Sequence, residues 1–174
     1  RTAREAVQTS EESYGVHELL SMLEEEMTRA AQELEFEKAA DECVVTESSL
    51  HTALFGERPT AYAHIVEIDG QAAATAVWFL NFSTWDGVSG IYLEDLFVRP
   101  AFRRRGLARK LLATLAAECR THGYTRLSWA VLNWNVNAIA LYDEVGGKPQ
   151  TEWTTYRVSG RRLAELAESV SGPG

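Results

Sequence analysis

Apolar residues recur three and four positions apart in the first part of the chain, which is the period of an amphipathic helix. They are Val16, Leu19, Leu20, Leu23, Met27, Ala30, Ala31 and Leu34. The pattern predicts a long helix within the segment that ends at Glu37. The other face of this helix is acidic and is interpreted as solvated surface, with Glu24, Glu25, Glu26 and Glu33.

A second, short helix is predicted between Thr46 and Gly56, which have the residue types of a helix start and a helix stop. From Thr60 the pattern changes to runs typical of β-strands. Two such runs, TAYAHIVEI and QAAATAVWFLNF, flank the pair Asp69-Gly70. This arrangement is a strong hairpin signal, and the next strand is predicted from Ile91 to Val98.

The second half of the chain alternates helices with strands. A helix is predicted over Leu107 to His122, because an apolar stripe runs along it and Gly123 ends it. There follow a strand (Arg126 to Leu132), a helix (about Asn135 to Val145), a strand (Trp153 to Val158) and a closing helix to about Val170. The order indicates an α+β or α/β fold with a mixed sheet.

The length of 174 residues and the hydrophobic content of 45% indicate one globular domain, residues 1–174, with a flexible tail at 171–174. No stretch has the length of a membrane span or the layout of a secretory signal, so a soluble, cytoplasmic protein is expected. Cys43 and Cys119 lie far apart and outside metal-binding spacings. They are predicted to be buried free thiols, with no metal site.

The net charge of −8 argues against nucleic acid or an anionic membrane as the main partner, because both would be repelled. The same charge suits a cationic substrate. Many acidic proteins bind nothing cationic, so from the charge alone the simpler interpretation, that the charge serves solubility, is favoured.

A basic turn lies between the predicted strand that ends at Val98 and the helix that begins at Leu107. It contains Arg103, Arg104, Arg105 and Gly106, and it lacks both the P-loop sequence and the dinucleotide-binding glycines. A glycine directly before a helix start, with arginines beside it, is suited to hold a phosphate through backbone amides. By itself the turn is equally compatible with a solvated basic loop.

Arg103, Gly106 and Ala108 fill the signature Arg/Gln-x-x-Gly-x-Gly/Ala between a strand and a helix. Here the chain resembles the GNAT superfamily of acetyl-CoA-dependent N-acetyltransferases. YLEDLFVRPAFRRRGLARKLL, VLNWNVNAIALYDEVGG and EWTTYR are similar to the diamine (spermidine/spermine) and thialysine acetyltransferase branch, over about residues 34–165. The resemblance implies a GNAT acyl-CoA N-acyltransferase fold, with a twisted, mostly antiparallel sheet flanked by helices. It also implies acetyl-CoA as co-substrate and a homodimer.

Acetyl transfer to a primary amine requires removal of a proton from a group whose pKa is about 10.4. Glu94 and Asp95 are adjacent, and strand alternation predicts that their side chains point to opposite faces. The resemblance assigns Glu94 to binding and deprotonating the amine, directly or through a water. Asp95 is interpreted as a hydrogen-bonded anchor.

The departing thiolate needs a proton donor, and a tyrosine keeps its proton at pH 7. Tyr142 lies seven residues after Asn135, so the two are predicted to share one helix face. From the residues alone Tyr142 would be a half-buried packing residue. The resemblance instead makes it the general acid.

Further roles are implied by the resemblance. The predicted cofactor-binding residues are Leu96, Phe97, Val98, Arg103, Arg104, Arg105, Gly106, Leu107, Ala108, Arg109, Asn135, Asn137, Ala138 and Tyr142. The predicted substrate-binding residues are Phe36, Glu37, Glu94, Ser128, Trp129, Ala130 and Glu152. For Glu37 and Glu152, plain surface charge has equal weight.

Two departures from the branch concern the substrate. The chain has Trp134-Asn135-Val136-Asn137 where the branch has Trp-Asn-Glu-Pro, so an acid is missing. The segment from about Gln8 to Gln32, within a divergent N-terminal helical region of about residues 1–33, does not align with the family. Since substrate choice is usually shaped there, the identity of the amine is not fixed by the resemblance.

The main hypothesis is therefore transfer of an acetyl group from acetyl-CoA to a small cationic amine (a diamine, a polyamine or a lysine-like compound), by direct attack in a ternary complex. Acetylation of a protein or antibiotic amine is an alternative within the enzymes. A non-catalytic acetyl-CoA-binding regulator is the alternative outside them. A nucleic-acid role is disfavoured because the arginine cluster is local and the whole chain is acidic.

Overall fold

The computed structural model describes residues 14–26 and 45–171. The predictions for Met27, Ala30, Ala31, Leu34, Phe36, Glu37 and Cys43 lie outside these ranges. The chain divides into two compact units, Arg1–Asn135 and Val136–Gly174, and each is described by itself. No helix in the described part of the chain has the length and apolar character needed to cross a bilayer.

The first unit contains a four-stranded sheet. Its strands are β1 (Tyr62–Ile68), β2 (Gln71–Phe82), β3 (Ser89–Val98) and β4 (Leu127–Trp129), in the spatial order β1-β2-β3-β4. The first three strands are antiparallel to their neighbours, and β4 is parallel to β3. The predicted mixed, mostly antiparallel sheet is confirmed.

Among the described residues of this unit, three helices accompany the sheet: α1 over residues 14–26, α2 (Glu47–Phe55) and α3 (Leu107–His122). Val16 and Leu19 of α1 and Leu50 of α2 form a buried cluster with Val77 of β2. The apolar stripe predicted for α3, which consists of Leu107, Leu111, Leu115 and Cys119, is buried, and Leu112 is buried beside it. This helix packs against β3, β2 and β4.

Several boundaries of helices and strands were predicted correctly from local sequence signals. Thr46 Oγ1 accepts from Ser49 N at 3.1 Å and Ser49 Oγ accepts from Thr46 N at 2.9 Å, which is a reciprocal cap at the start of α2. Asp69 (φ 52°) and Gly70 (φ 73°) both adopt the positive φ that a tight hairpin turn requires. Cys119 is buried, as predicted, and its thiol donates to Arg126 O at 3.5 Å.

The second unit contains α4 (Val136–Glu144), α5 (Gly160–Glu168) and a 3₁₀ turn, Ser169–Ser171. The prediction of a strand from Trp153 to Val158 is wrong, because the described backbone there forms no strand. The aromatic and β-branched composition of this segment suits a strand, but a strand exists only when it pairs. β4 is also shorter than the predicted Arg126 to Leu132, for a reason that lies at the functional site.

Candidate active site

A basic turn joins β3 to α3. After Val98 the chain forms a 3₁₀ turn, Pro100–Phe102, and then passes through two positive φ values, at Arg104 (62°) and Gly106 (75°). Glycine is suited to Gly106 because an L side chain is strained in the left-handed region. The chain enters α3 directly from this residue.

The start of α3 is open to a ligand. No side chain caps this helix, so the amides of Leu107 and Ala108 point outward without a protein acceptor in the described chain. The positive end of the helix dipole lies at the same place. A ligand that carries phosphate groups therefore meets both donors and positive charge at this end.

The arginines of the turn are exposed, and two of them have contacts that hold the turn in shape. Arg103 Nε donates to Val98 O at 3.1 Å. The guanidinium of Arg105 lies 5.4 Å from the centre of the Phe102 ring, within cation–π range. The turn is thus folded back on the end of β3 while it keeps its positive charge at the surface.

The pairing of β3 with β2 skips one residue at Glu94. Val77 pairs with Asp95 and the next residue of β2, Trp78, pairs with Leu93, so Glu94 is the extra residue of a β-bulge. Bulges bend a strand and redirect its side chains. The alternation that the sequence analysis assumed is broken at this point.

The bulge changes where the two carboxylates point. Asp95 lies on the same face as its partner Val77, whereas strict alternation from Leu93 would have placed it on the other face. Leu93 shares the face of its partner Trp78, so alternation from Leu93 places Glu94 on the opposite face, which is also the face of Val77. The expectation that Glu94 and Asp95 point to opposite faces is therefore wrong, and both carboxylates lie toward the side covered by α1 and α2.

The environments of the two carboxylates differ. Glu94 is exposed. Burial, with a smaller contribution from the charge of Glu94, raises the pKa of Asp95 to about 6. Asp95 accepts no hydrogen bond from the described residues, so its interpretation as a hydrogen-bonded anchor finds no support there.

The same bulge opens an edge of the sheet. The parallel ladder between β3 and β4 ends at the pair Leu93 and Trp129, so β4 leaves β3 where the register skips. Beyond this point no described strand pairs with the β4 side of β3. This divergence is the reason that β4 is shorter than predicted.

The ladder identifies which backbone groups face the open edge. Arg99 N donates to Ala73 O at 3.0 Å, so the hydrogen-bonded positions toward β2 are Arg99, Phe97 and Asp95. The backbone groups of Leu96 and Val98 consequently face away from β2. Among the three residues predicted to pair with the pantetheine arm, Leu96 and Val98 have the suitable orientation, whereas Phe97 is committed to β2.

Three predicted substrate-site residues lie beside the bulge. Ser128 and Trp129 are half-buried at the end of β4, and Ala130 follows as an exposed residue. Because Trp129 pairs with Leu93, this strand end is adjacent to Glu94. The structure thus brings Glu94 and the end of β4 together, and Asn135 closes the first unit, with its N–H donating to Leu132 O at 2.9 Å.

The remaining predicted site residues lie in the second unit. Asn137, Ala138 and Tyr142 are on α4, where Ala138 and Tyr142 are four residues apart and share a face. Tyr142 is half-buried, and its carbonyl accepts from Gly147 N at 2.8 Å. Glu152 is exposed after α4. Phe36 and Glu37 lie outside the described residues.

Sequence reasoning missed one residue of this region, Arg99, whose side chain ties the end of β3 to α1. The available signal was weak, because a single arginine before a proline has the appearance of ordinary surface charge. The bulge at Glu94 had no signal at all in the residue pattern.

Comparison with known proteins places the chain in a family. The sequence matches the profile of the Acetyltransferase (GNAT) family over residues 16–146. It is 39% identical over 137 residues to a thialysine N-epsilon-acetyltransferase of Caenorhabditis elegans, a match that covers 77% of this chain and 84% of that protein. The corresponding protein of Bos taurus is 34% identical over 144 residues, covering 76% and 84%.

A solved structure shares the fold. An integron cassette protein from the mobile metagenome of V. cholerae superposes with a TM-score of 0.67 at 24% identity, covering 84% of this chain and 90% of that one. The sequence profile and the sequence relatives identify the family, and the solved structure agrees with the fold alone. The chain therefore belongs to the acetyltransferase (GNAT) family and is an enzyme of the N-acetyltransferase class.

Proposed function

We propose that this enzyme transfers the acetyl group of acetyl-CoA to the primary amine of a small cationic substrate, by direct attack in a ternary complex. The observation that carries the proposal is one arrangement within the first unit. An uncapped helix start in a basic turn stands at the end of the strand whose edge opens at Glu94. Consecutive parts of β3 and α3 would thereby provide one site for a phosphate-bearing arm and another for an amine.

Acetyl-CoA would be held at two places in the first unit. The pyrophosphate would accept hydrogen bonds from the amides between Arg104 and Arg109, with charge supplied by Arg103 to Arg105. The pantetheine arm would lie along the open edge as an added strand, paired with Leu96 and the Val98 amide. Asn135, Asn137 and Ala138 are assigned to the same arm by the family likeness.

The amine would be bound as an ammonium by the carboxylates of Glu94 and Asp95, which lie on the same face of the sheet. Deprotonating an amine of pKa about 10.4 at pH 7 costs roughly 4 to 5 kcal/mol. Glu94 is exposed and would take this proton, directly or through a water. Asp95, half-buried beside it, would add negative charge whenever it is ionised.

The chemical step would then be a single acyl transfer. The free amine nitrogen attacks the thioester carbon, a C–N bond forms, and the C–S bond breaks with its electron pair going to sulfur. Tyr142 would donate its phenolic proton to the departing thiolate, and the proton that the attacking nitrogen loses as the amide forms would return the tyrosinate to a phenol. This assignment rests on the family likeness and on the acidity of a phenol.

The relatives suggest the substrate class. Thialysine is a lysine analogue with a terminal primary amine, and the relatives named after it are 32 to 39% identical to this chain. A similar protein of Arabidopsis thaliana, named for L-ornithine, matches 56% of the chain at 35% identity. We therefore place a lysine-like amine ahead of polyamines, and acetylation of protein or antibiotic amines behind both.

A panel of amines tests the proposal. The panel contains thialysine, lysine, ornithine, putrescine, spermidine, an aminoglycoside and a lysine-containing peptide, and release of free thiol is measured with acetyl-CoA. The expected result is turnover with one or more of the small amines. Turnover with the peptide or the aminoglycoside alone would indicate a protein or antibiotic amine as the substrate instead of a small amine. Acetyl-CoA binding without any turnover would favour a regulator.

We also propose a homodimer. This assembly is the one that the family resemblance of the sequence implies. The mass from light scattering is expected to be twice that of the 19.4 kDa chain, and a monomer mass would contradict the proposal.

A further inference from the structure

The side chain of Arg99 joins α1 to the sheet. Its Nε donates to Glu25 Oε1 at 3.0 Å, and its Nη1 donates to Glu18 Oε2 at 3.2 Å. Nη1 also donates to Ala72 O at 2.8 Å, and Nη2 donates to Ser21 Oγ at 3.1 Å. All three nitrogens of the guanidinium are thus engaged, three times with α1 and once with β2.

The contacts are of a kind that holds two elements in one relative position. The Arg99 side chain is only 21% exposed, so its ion pairs are partly shielded from solvent. Glu18, Ser21 and Glu25 follow one another by three and four residues and therefore share a helix face. Beside them Met22 packs against Phe97 and Ala72, so apolar packing and the guanidinium act on the same part of α1.

Helix α1 packs on the face of the sheet that carries the two carboxylates. Val16 and Leu19 pack against Val77, and Val77 is the cross-strand partner of Asp95. A movement of α1 would change the space and the solvent access on the face where Glu94 and Asp95 lie. The amine would be bound on this face.

The backbone of Arg99 has separate contacts with the start of the basic turn. Arg99 N donates to Ala73 O at 3.0 Å, and Arg99 O accepts from Phe102 N at 2.9 Å. A substitution of the side chain leaves these two hydrogen bonds available. The fastening of α1 and the folding of the turn can therefore be separated by mutation.

We propose that Arg99 is a positioning residue for the amine site: its guanidinium fixes α1 over the carboxylate-bearing face of β3, while the basic turn keeps its shape without it. This inference rests on the proposed function, since it concerns the amine of that reaction. It predicts that loss of the side chain weakens use of the amine and leaves acetyl-CoA binding intact.

The test compares Arg99→Met and Glu25→Gln with the matched control Glu24→Gln. Glu24 is a neighbouring exposed carboxylate of α1 that makes no contact with Arg99, so its change alters charge equally. With thialysine as the amine, Arg99→Met should raise the amine KM by about tenfold and change the acetyl-CoA Kd by less than about twofold. Glu25→Gln should show a smaller rise, and Glu24→Gln none.

A second measurement does not depend on activity. Amide hydrogen exchange in residues 14–26 should become faster by about tenfold in Arg99→Met and stay at the wild-type rate in Glu24→Gln. Arg99→Lys keeps the positive charge but loses the several N–H donors of the planar guanidinium. Its amine KM and its exchange rate should lie between those of the wild type and Arg99→Met.

Three results would overturn the inference. Unchanged exchange in Arg99→Met would show that the guanidinium does not hold α1. Faster exchange with an unchanged amine KM would reduce Arg99 to a purely structural role, as would equal losses for the amine and acetyl-CoA. If the wild type acetylates no amine, the proposed function fails by itself, whereas hydrogen exchange still decides whether Arg99 fastens α1.

Discussion

Glu94 and Asp95 are neighbours in sequence with different physical environments. The skipped pairing at Glu94 places both on one face, and burial raises the pKa of Asp95 to about 6. An exposed carboxylate beside a half-buried one would give the proposed amine site two kinds of negative charge. The charge of the half-buried group, Asp95, depends on pH near neutrality because its pKa is about 6.

Asp95→Asn should stabilise the protein near neutral pH. A carboxyl whose pKa is raised on folding holds its proton more tightly in the folded state, so wild-type stability falls as pH rises from about 4 to about 6 and stays lower above. A pKa of about 6 against an ordinary value of 3.8 corresponds to about 3 kcal/mol. Urea unfolding of wild type and variant between pH 4 and 7 measures the difference.

The control for this experiment is Asp143→Asn, which removes an exposed carboxylate from α4. It should leave the pH dependence of the wild type in place. If Asp95→Asn also follows the wild-type curve, the carboxyl of Asp95 is not protonated preferentially in the folded protein.

Tyr142→Phe should lower turnover by about a hundredfold or more while acetyl-CoA binding stays intact, because only the phenolic hydroxyl, the proposed proton donor, is removed. Tyr156→Phe makes the same chemical change at a side chain that is 91% exposed, and it should have no effect. Near-normal turnover of Tyr142→Phe would remove Tyr142 from the mechanism.

At the scale of elements, α3 has a glycine in the left-handed region at each end. Gly106 precedes its first residue with φ 75° and Gly123 follows its last with φ 71°. A Cβ on either glycine would meet no atom within 4 Å. The two positions thus have the same backbone requirement and the same free space, and only the first is at the proposed phosphate site.

Gly106→Ala and Gly123→Ala should each lower the free energy of unfolding by about 1 kcal/mol, since an alanine is strained at positive φ. Only Gly106→Ala should also weaken the binding of acetyl-CoA, because it disturbs the backbone amides that are proposed to bind the pyrophosphate. Denaturant unfolding and calorimetric titration with acetyl-CoA separate the two effects. Equal acetyl-CoA affinities in both variants would contradict the assignment of the basic turn.

Elements with local signals were predictable from the sequence, and those that depend on pairing were less so. The cap at Thr46, the turn at Asp69-Gly70 and the bounds of α3 are set by nearby residues, and the sequence predicted them. The short β4 and the missing strand at Trp153 to Val158 depend on partners distant in sequence. In the same way, residue types indicated Glu94 and the basic turn, whereas the bulge and the contacts of Arg99 depend on residues distant in sequence and had no local signal.

At the scale of the whole molecule, the net charge of −8 and the local arginine cluster have separate roles in the proposed reaction. The overall field would attract a cationic amine, and the three arginines before α3 would provide a positive site for an anionic cofactor. Family membership, the opened edge of β3 and the two carboxylates agree with this division.

The most direct measurement of the central claim is the identity of the products formed from acetyl-CoA and thialysine. Mass spectrometry should find N-acetylated thialysine, and a thiol assay should find free coenzyme A in equal amount, with neither product in the absence of the protein. If acetyl-CoA binds but no amine of the panel gains an acetyl group, the proposal of an amine acetyltransferase is contradicted.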